Sequence, residues 1–371
     1  MIPLFYPTMS PNAWKPVKEV LATRWIGQAH RVDEFEKKFA AYTHSPYSLA
    51  TNSGTAALHL AYRLAGLERG DEIISTVLTC TATHHPLLQD GIKIVFADID
   101  PKTLNIDPAD IERKITKKTK AILAVHFGGI PCDMDRIFKI AKAHKIPVIE
   151  DAAQAIGAHY KGKPVGSLGT LTMFSFQAIK QLTTGDGGML NLKNKSHYLR
   201  GKKLRWFGID REKKIKKNWQ AVNARAITFD VDEFGYKYQM NDIAAAIGLE
   251  NLKHINSWLK GRRQIARRYD EGLKNIDGVK LLEVPKDSTS SYWIYHILVE
   301  KRDDFQKAME SRGVETNVTH VRNDVYKIFG GKRLNLSNMN EVEFKYICIP
   351  MHDNLSGEDV KTVIEAIKKG W

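Results

Sequence analysis

The sequence has few cysteines, no long apolar run and no low-complexity segment. Its three cysteines, Cys80, Cys132 and Cys348, are far apart in a chain of 371 residues and show no CxxC spacing, so we expect neither disulfides nor a metal site. No apolar stretch approaches the roughly 20 residues that a membrane-spanning helix requires. The first residues lack a basic segment followed by an apolar one, which argues against a secretory signal. We therefore expect a cytoplasmic protein that is not attached to a membrane.

The charge is strongly positive, with 56 basic and 42 acidic residues and a formal net charge of +14. The excess is concentrated in segments 113–120, 202–217 and 260–268. Nucleic-acid binding is one interpretation, but there is no zinc-finger spacing, no RNP-type aromatic motif and no basic region that leads into heptads. We therefore expect solvated helix faces and no nucleic-acid partner. A positive field also favours a small anionic substrate.

Helix-like and strand-like segments alternate up to about residue 250. Helical patterns at 55–67, 108–115 and 135–144 lie among short runs of β-branched and aromatic residues at 72–75, 92–98, 121–126, 147–151, 171–176 and 189–192. This alternation predicts an α/β fold with a mostly parallel central sheet that helices cover on both faces. In such sheets, ligands bind beyond the carboxyl ends of the strands.

The pattern changes in the last third of the chain. Residues 241–268 predict a long helical region, and after residue 281 a strand at 291–299 is followed by helices at 303–312 and 357–369. We therefore predict a large domain at residues 1–250 and a smaller α+β domain at residues 251–371.

The stretch from residue 148 to 189 is the most informative about function. Asp151 ends an apolar strand, and Lys180 lies in a run that contains Phe174 and Phe176. Lysine rarely occurs in an apolar run without a partner. Its ammonium group could reach water from an edge strand. Alternatively, the amine could be kept neutral in a dry site to form a Schiff base with an aldehyde cofactor.

Three further features bear on this choice. Ser53-Gly54-Thr55 precedes the first strong helix and offers N–H groups, a hydroxyl and the positive end of a helix dipole, which suits either a phosphate or a plain helix cap. Ser175 places a hydroxyl among aromatic residues, and Gln154 places an amide shortly after Asp151.

Together, these residues match the requirements of pyridoxal 5'-phosphate. The phosphate needs N–H and hydroxyl donors, and the ring nitrogen needs a buried carboxylate in order to stay protonated. The ring hydroxyl needs a hydrogen-bond donor, and the aldehyde needs a lysine. The chain offers candidates for each need: Gly54, Thr55 and Ser175 for the phosphate, Asp151 for the nitrogen, Gln154 for the hydroxyl and Lys180 for the aldehyde.

Nearly the whole chain resembles the nucleotide-sugar aminotransferases, the DegT/StrS group of pyridoxal-phosphate enzymes. The segments that carry the resemblance are 25–36, 53–58, 70–73, 126–128, 150–154, 174–188 and 235–248. The resemblance implies the aspartate-aminotransferase-like fold (fold type I) and a transaminase whose cofactor alternates with pyridoxamine 5'-phosphate. It also implies a homodimer with active sites at the subunit interface.

The resemblance also implies roles for particular residues. Lys180 would be the catalytic residue that binds the cofactor and then moves a proton between cofactor and substrate carbons. Some relatives have a histidine at this position and act as dehydratases, so the lysine favours transamination. The implied cofactor-binding residues are Ser53, Gly54, Thr55, Cys80, Asp151, Gln154, Ser175, Lys180 and Lys237.

Two of these residues depart from the family pattern. Cys80 stands where relatives often have an aromatic residue that stacks on the cofactor, and His84 or His85 could supply that contact instead. Lys237 stands where relatives often have an asparagine that reaches the neighbouring subunit's phosphate. A lysine could make a stronger, charge-assisted contact there, or it could be an ordinary interface residue.

By resemblance, the amino group passes from L-glutamate to a keto sugar on a nucleotide diphosphate, in surface-polysaccharide or glycan biosynthesis. The amino-acid sequence of segment 174–188 is most similar to that of GDP-perosamine synthase-like enzymes, which aminate C4 of a 4-keto-6-deoxy sugar. The family's histidine-containing loop implies that His320, Arg322 and Asn323 bind substrate. A C3-keto nucleotide sugar, a non-nucleotide ketone such as a cyclitol or small phosphorylated ketone, and a non-catalytic protein with the same fold remain alternatives.

Overall fold

The computed structural model describes residues 1–211, 231 and 233–371. The basic segment 202–217 therefore lies only partly within the described residues, and the expectation of a solvated face at 212–217 lies outside them. Within the described part of the chain, no helix has the length and apolar character needed to cross a membrane. The same residues contain no group of three or more His, Cys, Asp or Glu side chains that could hold a metal ion.

A seven-stranded sheet forms the centre of the larger part of the molecule. Its strands are β1 (Tyr47–Thr51), β2 (Glu72–Thr76), β3 (Lys93–Ala97), β4 (Thr119–Val125), β5 (Val148–Asp151), β8 (Leu171–Ser175) and β9 (Gly188–Leu192), while β6 (His159–Tyr160) and β7 (Lys163–Pro164) form a separate hairpin. The order is β1-β9-β8-β5-β4-β2-β3. Strands β8 to β3 pair in parallel, and β9 runs antiparallel to both β8 and β1. The predicted α/β fold with a mostly parallel sheet is confirmed.

Helices cover both faces of this sheet. They are α1 (Trp14–Thr23), α2 (His30–Tyr42), α3 (Gly54–Leu64), α4 (His85–Gln89), α5 (Pro108–Lys114), α6 (Met134–His144), α7 (Lys195–Leu204) and α8 (Asp242–Leu252). Alternate residues of a strand face opposite layers. On β4, Ala121 and Leu123 pack in the layer of α3, whereas Ile122 and Ala124 pack in the layer of α6. From Ala121 to Val125, β4 is therefore a continuous apolar run, as expected of a strand buried on both sides.

The C-terminal part is built on a three-stranded antiparallel sheet. Its strands are β10 (Val279–Leu281), β11 (Tyr295–Val299) and β12 (Tyr346–Ile349), and its helices are α9 (Ile255–Leu273), α10 (Arg302–Ser311), α11 (Ser337–Val342) and α12 (Gly357–Lys368). The first turns of α9 pack in the core of the larger part through Ile255 and Leu259, and its last turns pack on the small sheet. The start of the chain also joins the small part, because Ile2 pairs with Val314.

The structure differs from the sequence-based expectations at two elements that bear on the site. The long helical region predicted at 241–268 consists of two helices, α8 and α9. The strand predicted at 291–299 begins only at Tyr295, because Tyr292 has a φ of 46° and cannot continue an extended chain. The backbone N–H groups of Ser291 and Trp293 instead donate to Gly129 and Gly128. These bonds hold Trp293 at the junction of the two parts.

Candidate active site

The predicted functional residues meet at one edge of the central sheet. Strands β1, β5 and β8 end there at Thr51, Asp151 and Ser175, and β9 begins there at Gly188. A cavity of about 360 Å³ opens at this edge, and all the predicted cofactor-binding residues except Lys237 line it. A wider cleft of about 590 Å³ between α9 and the start of α12 contains none of them. The chemistry therefore belongs to the smaller cavity, at the position where parallel sheets bind ligands.

The start of α3 presents its first backbone N–H groups to this cavity. The hydroxyl of Ser53 accepts a hydrogen bond from the N–H of Ala56 at 3.1 Å, so this side chain caps the helix. The N–H groups of Gly54 and Thr55 and the hydroxyl of Thr55 have no partner among residues 1–211, 231 and 233–371. Free N–H groups at the positive end of a helix dipole favour a phosphate.

A buried carboxylate also lines the cavity. Asp151 accepts hydrogen bonds from the hydroxyl of Thr83 at 2.8 Å and from the N–H of Ala153 at 3.1 Å. Burial raises the pKa of Asp151, while these two bonds and the charge of Lys180 oppose that rise. A cationic ring nitrogen at this wall would favour the ionised carboxylate in the same way.

Gln154 presents an amide donor. Its Oε1 accepts a hydrogen bond from the N–H of Gly128 at 2.6 Å, and its backbone carbonyl accepts from Gln181 and Ser291. The orientation of the amide is therefore set by Gly128, and Nε2 has no acceptor within the described part of the chain. A free amide N–H₂ group is the donor that the ring hydroxyl of the cofactor requires.

Lys180 lies in the turn that follows β8, where its N–H donates to the carbonyl of Gln177 at 2.9 Å. Its Nζ lies 3.5 Å from the centroid of the Trp293 ring. Burial lowers the pKa of Lys180 to about 8, although Cys80 and Asp151 act in the opposite direction. A lowered pKa increases the neutral, nucleophilic fraction of a lysine amine. The phosphate turn, the buried carboxylate, the amide donor and this lysine together form a donor set that fits pyridoxal 5'-phosphate.

Comparison with known proteins agrees with this fit. Residues 7–368 match the model of the DegT/DnrJ/EryC1/StrS aminotransferase family. The chain belongs to this family. It is therefore a transaminase that depends on pyridoxal phosphate. Structures of a similar protein, a putative sugar aminotransferase from Streptococcus pneumoniae named Spr1654, exist in pyridoxal-phosphate, pyridoxamine-phosphate and apo forms. Those structures are 29% identical to this chain, with TM-scores of 0.89 to 0.90, and the match covers 99% of this chain and 97–98% of theirs.

Two further relatives extend over the full length. The sugar aminotransferase CalS13 from Micromonospora echinospora is 35% identical, with a TM-score of 0.93 and a match that covers 100% of both chains. GDP-perosamine synthase from Escherichia coli O157:H7 is 33% identical over 99% of this chain and 98% of its own length. The expected fold type I architecture is confirmed by these structural neighbours.

The two histidines that were candidates for stacking on the cofactor ring both lie away from the cavity. Cys80 lines the cavity, but His84 is buried behind it, with one ring nitrogen bonded to Asn323 at 2.7 Å and the other to Ser75 at 2.8 Å. His85 is exposed on α4. Neither histidine lines the cavity, so neither supplies the face contact that relatives obtain from an aromatic residue.

Of the three expected substrate-binding residues, only His320 lines the cavity. Its ring stacks on Trp293 with a centroid distance of 5.9 Å. Burial, with a contribution from the charge of Lys180, lowers the pKa of His320 to about 3, so the imidazole is neutral. Its Nε2 is buried and has no hydrogen-bond partner within the described residues.

The structure places Arg322 and Asn323 elsewhere, which corrects the expectation that they face the substrate. Arg322 is fully buried, and its five N–H donors are all used by other residues of the chain: Asp324, Asn340, Glu343 and the carbonyl of Arg333. Asn323 supports the wall from behind, through the ring of His84 and the carbonyl of Cys80. Arg322 therefore has no donor left for a diphosphate.

Lys237 does not line the cavity of its own chain. It is exposed, its carbonyl accepts a hydrogen bond from Asn52 at 3.2 Å, and its Nζ lies 5.4 Å from the centroid of the Phe207 ring. Two residues that sequence reasoning missed do belong to the site. Trp293, which lies in the predicted strand at 291–299, lines the cavity, and Thr83 lines it and donates a hydrogen bond to Asp151.

Proposed function

We propose that the aminotransferase transfers the amino group of L-glutamate to C4 of a 4-keto-6-deoxy sugar that is carried on a nucleotide diphosphate. The step would belong to cytoplasmic biosynthesis of a surface polysaccharide or glycan. The observation that carries the proposal is the assembly of Lys180, Asp151 and the turn at Gly54 around one cavity. The full-length similarity to GDP-perosamine synthase and to CalS13 supports the sugar substrate.

Each side chain has a task that follows from its surroundings. When bound, pyridoxal phosphate supplies an electron sink for charge that develops at the substrate carbon. Lys180 takes a proton from that carbon and returns it, which a pKa of about 8 permits near neutral pH. Asp151 keeps the ring nitrogen protonated because it is a buried acceptor that needs a cationic partner.

The remaining residues orient the cofactor. The free N–H groups of Gly54 and Thr55 and the hydroxyl of Ser175 would hold the phosphate, and Nε2 of Gln154 would donate to the ring hydroxyl. His320 lines the cavity with a neutral imidazole, whose buried Nε2 can exchange one hydrogen bond with a sugar hydroxyl or a carboxylate.

We infer further that the active unit is a homodimer with active sites at the subunit interface. Large apolar side chains are exposed along the N-terminal segment, including Tyr6, Trp14, Trp25 and Ile26, and such a surface is typical of a protein interface. Lys237 lies next to Asn52, just before the phosphate turn, yet its side chain is outside its own cavity. This position supports a role for Lys237 at the site of the neighbouring subunit.

The substrate is tested with a panel of ketones and L-glutamate. Purified protein supplied with pyridoxal phosphate is incubated with GDP-, UDP- and dTDP-linked 4-keto and 3-keto sugars and with nucleotide-free ketones, and the amine product is identified by mass spectrometry. We expect turnover of a 4-keto-6-deoxy sugar nucleotide, and none with Lys180→Ala. Lys195→Ala, an exposed lysine at the start of α7, is the matched control and should retain activity.

Two results would overturn parts of the proposal. Turnover of nucleotide-free ketones alone would replace the sugar-nucleotide assignment, and turnover of 3-keto sugars alone would replace C4 by C3. The cofactor assignment is tested separately by borohydride reduction, which should add the cofactor mass to the peptide that contains Lys180. A colourless protein that takes up no pyridoxal phosphate would contradict it.

A further inference from the structure

Trp293 forms a rigid aromatic wall beside the catalytic lysine. The residue is 1% exposed, and its backbone N–H donates to the carbonyl of Gly128 at 3.1 Å. Its indole Nε1 donates to the carbonyl of Ile179, the residue before Lys180, at 2.9 Å. The ring is therefore fixed at both ends, and it is tied to the turn that carries the lysine.

Lys180 makes a cation–π contact with the face of this ring. A separation of 3.5 Å between Nζ and the ring centroid lies well inside the range of about 6 Å for a cation–π interaction. The other groups that face the amine are Asp151, Cys80 and neutral His320. Within the described part of the chain, Lys180 forms no ion pair, so no carboxylate holds its charge directly.

This arrangement matters because a catalytic lysine must exist in two states. During transamination, its amine would be free of the cofactor and would carry the proton that it takes from the substrate carbon, and burial alone disfavours that charged state. A carboxylate in contact would stabilise the ammonium so strongly that the amine would be a poor base. An indole face stabilises it more weakly and cannot take the proton itself.

We propose that Trp293 is a positioning residue that receives the released ammonium group of Lys180 on its indole face and keeps it beside the cofactor. The proposal rests on the proposed function, in which Lys180 alternates between a cofactor-bound and a free state. Its physical core is independent of turnover, because the contact between Lys180 and Trp293 is part of the fold itself.

The test measures the pKa of Lys180 in the cofactor-free, full-length protein. Pulsed acylation at a series of pH values, followed by mass spectrometry of the Lys180 peptide, gives the titration curve for wild type, Trp293→Leu and Trp293→Phe. Exposed Lys195 serves as the internal reference in every sample. Leucine keeps the wall dry and removes the π face, so we expect the Lys180 pKa to fall by about one pH unit, with phenylalanine in between.

Leucine and phenylalanine both lose the hydrogen bond to Ile179, so their difference isolates the ring face. If Trp293 only fills space, the Lys180 pKa will stay unchanged in Trp293→Leu, or it will rise as water enters. Either result would overturn the proposal.

A second experiment measures the same pKa without any substitution at Trp293, so it does not depend on the folding of a variant. The seven tryptophans are replaced biosynthetically by fluorinated tryptophans, which weaken the ring quadrupole and retain its shape. We expect the Lys180 pKa to fall step by step with each added fluorine, and a constant value would contradict the proposal. Failure of the proposed function is a separate result, because it would appear as wild-type protein that binds no pyridoxal phosphate while the pKa shifts persist.

Discussion

Gly54 and Ser175 approach each other so closely that the first of them must lack a side chain. A Cβ atom on Gly54 would lie 2.8 Å from Cβ of Ser175 and 3.1 Å from its hydroxyl oxygen. Gly54 begins α3, which follows β1, and Ser175 ends β8. Strand β9 lies between β1 and β8 and pairs with both in antiparallel orientation. The contact places the N-terminus of a helix directly against a hydroxyl, which is the geometry of a phosphate site.

Gly54→Ala should therefore damage both the fold and cofactor binding. The added methyl group has no space, so we expect a loss of about 1–3 kcal/mol in the free energy of unfolding. We also expect the Kd for pyridoxal phosphate to rise at least roughly tenfold, since one displaced charge-assisted contact is worth about 1.5–3 kcal/mol. Thermal unfolding and absorbance titration measure the two effects.

Gly261→Ala is the matched control for this substitution. Gly261 lies inside α9, where an added Cβ meets nothing within 4 Å, so alanine should stabilise the helix slightly and leave cofactor affinity unchanged. Equal behaviour of the two variants would contradict the close approach at Gly54.

Asp151→Asn should leave the ring nitrogen of the cofactor without a charged acceptor. Breaking a buried charge pair costs about 3–5 kcal/mol, which corresponds to a fall in kcat of between about 10²-fold and about 5 × 10³-fold. Thr83→Val removes only one supporting hydrogen bond to Asp151 and should reduce kcat by about tenfold or less. Steady-state kinetics with saturating cofactor would show this graded order, and a Thr83→Val defect as large as that of Asp151→Asn would contradict it.

The rate at which the cofactor-free protein takes up pyridoxal phosphate should depend on pH through Lys180. Only the neutral amine attacks an aldehyde, and burial lowers the pKa of this lysine to about 8. We expect the uptake rate to rise about tenfold per pH unit below pH 8 and to level off above it. Stopped-flow absorbance measures it. A rate that keeps rising to pH 10.5 would mean that Lys180 titrates as an exposed lysine.

The same lowered pKa predicts the sign of a stability change. Between about pH 8 and 10.5, the unfolded chain keeps a proton on Lys180 that the native chain has lost. The contribution of this residue to the free energy of unfolding therefore rises with pH in that window. Lys180→Met should be more thermostable than wild type at pH 7 in the cofactor-free state, and the difference should shrink as the pH approaches 10.5. A constant difference would contradict this linkage.

Arg322→Met should affect stability rather than substrate affinity. The substitution leaves the fully buried carboxylate of Asp324 without its counter-charge, which typically costs about 3–5 kcal/mol. Chemical unfolding measures this loss, and the double variant Arg322→Met/Asp324→Asn should recover part of it. In folded Arg322→Met, the KM for the sugar nucleotide should stay within about twofold, since no donor of Arg322 is free for substrate. A large rise in KM at unchanged stability would place Arg322 in the substrate site instead.

The proposed role of Lys237 can be tested by mixing inactive subunits. If Lys237 serves the partner's site, heterodimers of Lys180→Ala and Lys237→Ala chains will contain one site with both defects and one intact site. A random mixture should then recover about a quarter of wild-type activity, although each variant alone is impaired. If Lys237 serves its own site, or none, mixing will restore nothing.

Much of the candidate site could be predicted from the sequence because its residues stand at strand ends. Asp151 and Ser175 follow short apolar runs, and the Ser53–Thr55 turn precedes an amphipathic helix, so local patterns locate them at one edge of a parallel sheet. Strand β1 could not be predicted from the local pattern, because its five residues pair with β9, which lies far along the chain. The local sequence pattern predicts that Trp293 lies in a strand. In the structure, the N–H groups of Ser291 and Trp293 donate to Gly129 and Gly128, which are distant in sequence, and these bonds bend the chain there.

The sequence by itself determined the cofactor, because pyridoxal phosphate demands a small set of residue types that occur in recognisable local motifs. Only the tertiary structure decided which neighbouring residues face the cavity. His320 and Arg322 are two positions apart in one loop, yet the first lines the site and the second is buried in an ion-pair network with Asp324 and Glu343. The direction in which an arginine points depends on distant partners, such as the α11 segment, that local pattern cannot reveal. The contact between Lys180 and Trp293 is likewise made by folding, since the two residues come from different parts of the molecule.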